Sequence, residues 1–184
     1  MGVAHLTTAQ LTAALDDLRA APTDHGRVAL VVRRPTHGER EVLEEGRLDL
    51  TEGLVGDNWS TRGSRLTPDG GAHPGMQLNV INVRLSTLVA VDPARRILAG
   101  DQLHVDLDLS GANLPPGTRL ALGSAVIEVT PEPHRGCATF VERFGRDAMR
   151  FVNSPVGREL RLRGLNARVV EPGTVRPGDE IRKA

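Results

Sequence analysis

Leu103-His104-Val105-Asp106-Leu107-Asp108-Leu109 decides the fold class. Apolar residues occupy every second position, separated by His104, Asp106 and Asp108, which is the period of a strand with one buried and one exposed face. Downstream, Pro115-Pro116-Gly117 turns the chain, and residues 119–122 and 125–130 read as two further strands around Gly123. The C-terminal stretch gives strands within 166–170 and around Val175 and Ile181, joined by turns at Glu171-Pro172-Gly173 and Pro177-Gly178-Asp179. Upstream, the apolar run 28–32 suits a buried strand, and residues 77–83 suit another. Strands dominate and helices are inserted between them. The expected fold is therefore mainly β, a closed or nearly closed β-barrel with a few short helices, rather than an alternating βαβ sheet.

The inserted helices carry their own punctuation. Thr7 or Thr8 caps a helix with Leu11, Ala14, Leu15 and Leu18 on one face, stopped by Pro22. Asp92-Pro93 opens a short helix that ends near Gly100. A third helix spans about 137–152, broken near Gly145. Between 35 and 75 the chain is polar and glycine-rich, with only short structure expected, and such a segment in a compact domain is commonly functional or mobile. The chain divides into an N-terminal helical extension, residues 1–26, and a barrel domain, residues 27–184.

With 184 residues the chain can bury a real core. Its 23 basic and 23 acidic residues cancel, so the total charge points to neither nucleic acid nor a membrane surface. There is no long apolar run and no signal-peptide layout, so a soluble cytoplasmic protein with a reduced thiol is expected. Lys183 is the sole lysine, which argues against pyridoxal phosphate held as a Schiff base by this chain. Trp59, Phe140, Phe144 and Phe151 are the only rings, too few for a base-stacking platform. No nucleotide-type glycine signature is present.

Chemistry concentrates on Cys137, the single cysteine, in Pro133-His134-Arg135-Gly136-Cys137-Ala138-Thr139-Phe140. A lone cysteine makes no internal disulfide and no thiolate metal site by itself, but it can act as a nucleophile or sulfur carrier if cations and a helix N-terminus stabilise its anion. His134 and Arg135 precede it, and between 135 and 168 there are eight arginines against Glu142, Asp147 and Glu159. That excess would attract an anion such as phosphate. The competing reading is a buried small hydrophobe, with the arginines on solvated helix faces. A Cys/His hydrolase would recruit His134 or the more distant His37, His73 or His104, the last expected to be exposed. The histidines show no metal-ligand spacing, and Glu41, Glu44, Glu45, Asp49, Glu52 and Asp57 read as a solvated surface.

The run His134-Arg135-Gly136-Cys137, Phe140, Arg143-Phe144-Gly145, Ala148, Phe151-Val152-Asn153, Gly157-Arg158 and Leu160-Arg161-Leu162-Arg163-Gly164 resembles the heart of a MOSC domain, named for the C-terminal part of molybdenum cofactor sulfurases. Ala167-Arg168-Val169-Val170, Gly173, Val175 and Gly178-Asp179 resemble the way such domains end. Weaker likeness runs through Glu44-Glu45-Gly46, residues 53–59 and Gly100-Asp101, and the whole chain looks like a short, stand-alone member. The resemblance implies a β-rich barrel in which Cys137 accepts sulfur as a persulfide or contacts the molybdenum of a bound pterin cofactor. His134 and Arg135 would polarise the thiol, while Arg143, Arg158, Arg161 and Arg163 would meet the cofactor phosphate. Partners would be a desulfurase as sulfur donor or a metalloenzyme as acceptor; an activity would be cofactor-dependent oxidoreduction, including reduction of N-hydroxylated compounds, or sulfur transfer. Family members often carry proline where this chain has Gly136, and a His-Gly-Gly segment where it has Asp69-Gly70-Gly71-Ala72-His73. The alternative from another class is a non-catalytic ligand- or partner-binding barrel with Cys137 buried.

Overall fold

A computed structural model describes residues 4–184. In chain order the elements are α1 (Thr8–Ala13), α2 (Leu15–Arg19), β1 (Gly26–Arg33), β2 (Glu41–Leu43), β3 (Gly46–Asp49), β4 (Gly53–Leu54), α3 (Trp59–Arg62), a 3-10 turn (Pro74–Met76), β5 (Leu78–Asn82), α4 (Val83–Ala90) and a 3-10 helix (Pro93–Ala99). They continue with β6 (Leu103–Asp106), β7 (Arg119–Leu122), β8 (Ala125–Val129), α5 (Ala138–Asn153), α6 (Pro155–Glu159), β9 (Leu165–Glu171), β10 (Gly173–Val175) and β11 (Glu180–Lys183).

Seven strands close a barrel in the order β1-β6-β5-β9-β8-β7-β11, and β11 returns to β1 through Gly26–Ile181 and Arg27–Glu180. Closure removes the unpaired edge that an open sheet would present. β2 extends from β1 outside the ring, and β10, β3 and β4 form a separate three-stranded sheet. All neighbours in the barrel are antiparallel except β5 and β6. A parallel pair cannot be joined by a tight turn and needs a crossover. Here α4 and the 3-10 helix supply it, and α4 is an element that the sequence reading did not contain.

The interior is filled by inward residues of the strands, among them Val28, Leu78, Val80, Leu103, Val105 and Ile127, all at 0 % exposure. A second apolar layer covers the outside of β5 and β6. Leu11 and Leu18 from the N-terminal helices, Ile81, Leu85 and Val89 pack there against Phe140, Phe144 and Phe151 of α5. Phe140 and Phe144 meet with ring centroids 4.9 Å apart at 58°. Each buried ring contributes about 1.5–3 kcal/mol through removal from water, so α5 is held firmly to the barrel. The N-terminal segment is thus part of this second core; Thr7 caps α1 in a capping box with Gln10, and the expected continuous helix breaks at Ala14 into α1 and α2. In α5 the expected break falls at Gly145, whose φ of 89° and ψ of 167° leave the helical region. Among the described residues no helix is long and apolar enough to cross a membrane.

The alternation in 103–109 corrects one expectation. Its apolar residues do enter the barrel, but the other face is covered by α4, so His104 is fully buried rather than exposed, with Nδ1 3.0 Å from Ser86 Oγ. Burial pushes the His104 imidazole down to about 4 from the ordinary 6.5, against the pull of Asp101. It is therefore neutral in the fold and becomes protonated first in the unfolded chain. Between pH 6.5 and about 4 the unfolded state binds more protons, so stability falls with falling pH. The slope from this group reaches about 1.4 kcal/mol per pH unit. Urea-unfolding midpoints across this window should show that slope, and His104→Gln should flatten it.

Candidate functional site

Cys137 sits where α5 begins. It is the N-cap, with extended backbone (φ −129°, ψ 179°), and its carbonyl accepts the Phe140 N–H at 3.0 Å. Its thiol is exposed and free, which contradicts the expectation of a buried small hydrophobe. Gly136 explains the departure from proline in the family pattern. Its N–H donates to Asn153 Oδ1 at 3.2 Å, and an added Cβ would lie 2.6 Å from Met149 Sδ and 3.1 Å from Val152. Proline at this position would remove the donor and collide with α5.

The thiol lines a cavity of about 310 Å³ whose wall also carries Arg34, Arg40, Arg62, Arg143 and Arg163 and no carboxylate side chain. Two of these arginines are matched from behind. Arg34 forks onto the fully buried side chain of Asp57 through Nε (2.9 Å) and Nη2 (2.8 Å), and its Nη1 reaches Asn79 Oδ1 (2.9 Å) and the Gly100 carbonyl (3.0 Å). Arg163 Nη1 binds Asp101 Oδ2 at 2.8 Å, Nη2 donates to the Ala99 carbonyl at 3.1 Å, and the guanidinium lies 5.2 Å from the Phe140 ring centroid. Asp57 was read as solvated surface; it is instead a buried counter-charge, because Arg34 follows the apolar run of β1 straight into the barrel end.

The other three arginines have no ion-pair partner among the described residues. Arg40 and Arg143 converge above Gly100, where an added Cβ would be 3.3 Å from one guanidinium and 3.5 Å from the other. Burial and the nearby Arg143 and Arg34 pull Arg40 down to about 10, and its Nε is buried without a partner. Like charges gathered in this way favour an anion in the space they face.

Asp101 organises the loop before the thiol. Burial alone would raise its carboxyl, but Arg163 and His134 outweigh this and hold it at about 2. His134 Nε2 lies 2.9 Å from Asp101 Oδ1, and burial together with Arg163 lowers its imidazole below the ordinary value. A neutral ring then donates Nε2–H to the carboxylate and leaves Nδ1 as an acceptor. Among the described residues no histidine is hydrogen-bonded to Cys137. His37 lines the same cavity, His73 caps the 3-10 turn at Gly75, and His104 is buried under α4.

The cysteine-cavity arginines come partly from positions the sequence did not single out. Of the expected set, Arg143 and Arg163 reach it, whereas Arg135, Arg158 and Arg161 line a second cavity of about 200 Å³ that shares His134 and Arg163 as a common wall. Arg146 and Arg150 are exposed, and Arg168 pairs with Glu128. Arg34, Arg40 and Arg62 replace them, brought in from the residue just past β1, the following loop and α3. The usable signals were Arg33-Arg34 closing an apolar strand and Gly100-Asp101 closing a helix, each putting a charge at a barrel end.

The family model for the MOSC domain matches residues 98–182. The chain is similar in structure to the YuaD protein of Bacillus subtilis (TM-score 0.59, 16 % identity, 85 % of this chain and 93 % of that one). It is also similar to YiiM of Escherichia coli (TM-score 0.54, 21 %, 86 % and 69 %) and to YiiM of Geobacillus stearothermophilus (0.50, 12 %, 86 % and 73 %). At such identities the likeness shows the fold. No curated protein matches the chain.

Asp101→Ala leaves Arg163 charged and buried without its partner, a change that costs about 3–5 kcal/mol where exposed pairs cost well under 1. Urea unfolding should show a loss of that size, against a small one for Glu41→Ala, whose pair with Arg33 is partly exposed.

Proposed function

We propose, for a chain whose residues 98–182 belong to the MOSC domain family, that the arginine cavity binds molybdenum cofactor with Cys137 as the metal-facing thiol. The observation that carries this reading is the exposed thiol at the mouth of α5, on the wall of a cavity with five arginines and no carboxylate. The residues fit the group. Three guanidiniums without counter-charge suit a phosphate, and a soft thiol suits molybdenum. Among the described residues there is no cluster of three or more His, Cys, Asp or Glu side chains able to hold a metal, so a metal at Cys137 has to bring its other ligands with it. When bound, the cofactor supplies a redox-active metal–sulfur centre.

The chain's own part is positioning. Arg40, Arg62 and Arg143 bind and orient the anionic end, and the helix N-terminus adds a partial positive charge beside the sulfur. Asp101 fixes the orientation of the His134 ring through Nε2 and so steadies the loop that leads to the thiol. An oxidoreductase working on a small substrate is one expression of this site.

The exposure of Cys137 also favours a second reading, sulfur carriage between a desulfurase and an acceptor metalloenzyme. The Cys137 thiolate attacks the outer sulfur of a donor persulfide. A Cys137 Sγ–S bond forms, the donor S–S bond breaks, and the donor departs as a thiolate, so no external oxidant or reductant is needed.

Anaerobic incubation with molybdenum cofactor, followed by metal and pterin analysis after gel filtration, tests the first reading. The native protein should retain close to one cofactor per chain. Cys137→Ser should lose the metal, and Arg40→Gln with Arg143→Gln should weaken pterin retention about tenfold or more. Equal loading of all three proteins would sink it. Intact mass after treatment with a persulfide donor tests the second: one cyanide-removable sulfur on the native protein and none on Cys137→Ser.

A further inference from the structure

Three arginines of the family-like motif lie outside the thiol cavity and are not used by the reading above. Arg135, Arg158 and Arg161 line the second cavity, whose wall includes His134, Arg163 and Glu132. Among the described residues the side chains of Arg135 and Arg158 have neither an ion-pair nor a hydrogen-bond partner, the Arg158 backbone alone being bonded, to Ser154 and Arg161. Arg161 is anchored: its Nη1 donates to the Leu114 carbonyl at 2.7 Å, and its backbone is held at a φ of 46°, a left-handed conformation unusual for a residue with a side chain. Strained backbone of this kind persists where the surroundings over-determine it, and it gathers at ligand sites.

We propose that this second cavity is a binding site for a phosphate monoester, separate from the site at Cys137. The charge count favours phosphate over a carboxylate. Arg163 is matched by Asp101, so Arg135, Arg158 and Arg161 face the single opposing charge of Glu132, leaving two positive charges for the ligand. A phosphate monoester near neutral pH carries close to two negative charges and offers three oxygens to guanidinium forks, whereas a carboxylate carries one charge and two oxygens. The cavity also has an apolar side, with Pro131, Pro133, Val152 and Leu165, suited to a small organic group on the phosphate. The shared wall of His134 and Arg163 places such a ligand next to the thiol cavity, with Arg163 the one arginine that lines both. The proposal stands on this cavity alone and does not need cofactor binding at Cys137.

Titration of the full chain with phenyl phosphate, followed by backbone amide NMR, tests it. Saturable shifts should appear at Glu132, His134 and Arg135 and in residues 157–165. Arg135→Gln with Arg158→Gln should weaken that binding about tenfold or more, while Arg40→Gln with Arg143→Gln leaves it unchanged. Both arginines are exposed, so the variant should keep the native spectrum; Arg135→Lys with Arg158→Lys, which keeps the charge and loses the forks, gives an intermediate loss and serves if the glutamine variant unfolds. Acetate at the same concentration should leave these amides unmoved. Shifts confined to residues around Cys137, equal shifts with acetate, or undiminished affinity in both the glutamine and lysine variants would overturn the proposal.

Discussion

A carboxylate with no access to water has to be matched where it lies, and Asp101 is matched from two directions. Arg163, two residues before β9, supplies one partner; His134, three residues before the thiol, supplies the other. Asp101 itself follows the 3-10 helix that completes the β5–β6 crossover. One buried charge therefore ties the crossover, the approach to α5 and the start of β9 to a single point at the barrel end. The guanidinium of Arg163 also faces Phe140 on the first turn of α5, so electrostatics and the second apolar core fix the same helix. Cys137 caps that helix. Its position follows from Asp101 more than from any contact of its own side chain.

The second buried pair does the same for the opposite wall. Arg34 leaves β1 and is gripped by Asp57, Asn79 and the Gly100 carbonyl, which draws the irregular segment after β1 over the barrel end. That segment then presents Arg40 and Arg62 to the thiol. Removing water from two matched arginines leaves the three unmatched ones to set the sign of the cavity. The arrangement separates structural cations from those left for a ligand, a division that composition with equal acidic and basic totals conceals.

Much of the barrel was legible because alternation and turn residues are local signals. Residues 119–122 and 125–130, the cap at Asp92-Pro93, the break at Gly145 and the helix start at Cys137 all depend on neighbours a few positions away. What sequence could not supply was pairing. The parallel contact of β5 with β6, and the crossover helix it requires, depends on strands brought together by closure. His104 was read as exposed because its strand alternates, yet α4 lies over it. Asp57 stood among acidic residues that suggested solvent, and only its meeting with Arg34 makes it structural. In the site, arginines near Cys137 in sequence divide between two cavities, and three of the five arginines around the thiol come from before residue 63.

The account rests on an accessible thiol inside an unbalanced cationic cavity. The most direct measurement is the rate of Cys137 alkylation by iodoacetate, an anion, relative to neutral iodoacetamide, each normalised to free cysteine. A cavity of this charge should raise the relative rate for the anion by about tenfold or more, with the preference fading as salt is added and in Arg40→Gln with Arg143→Gln. A ratio equal to that of free cysteine, unmoved by salt or by those substitutions, would contradict the account.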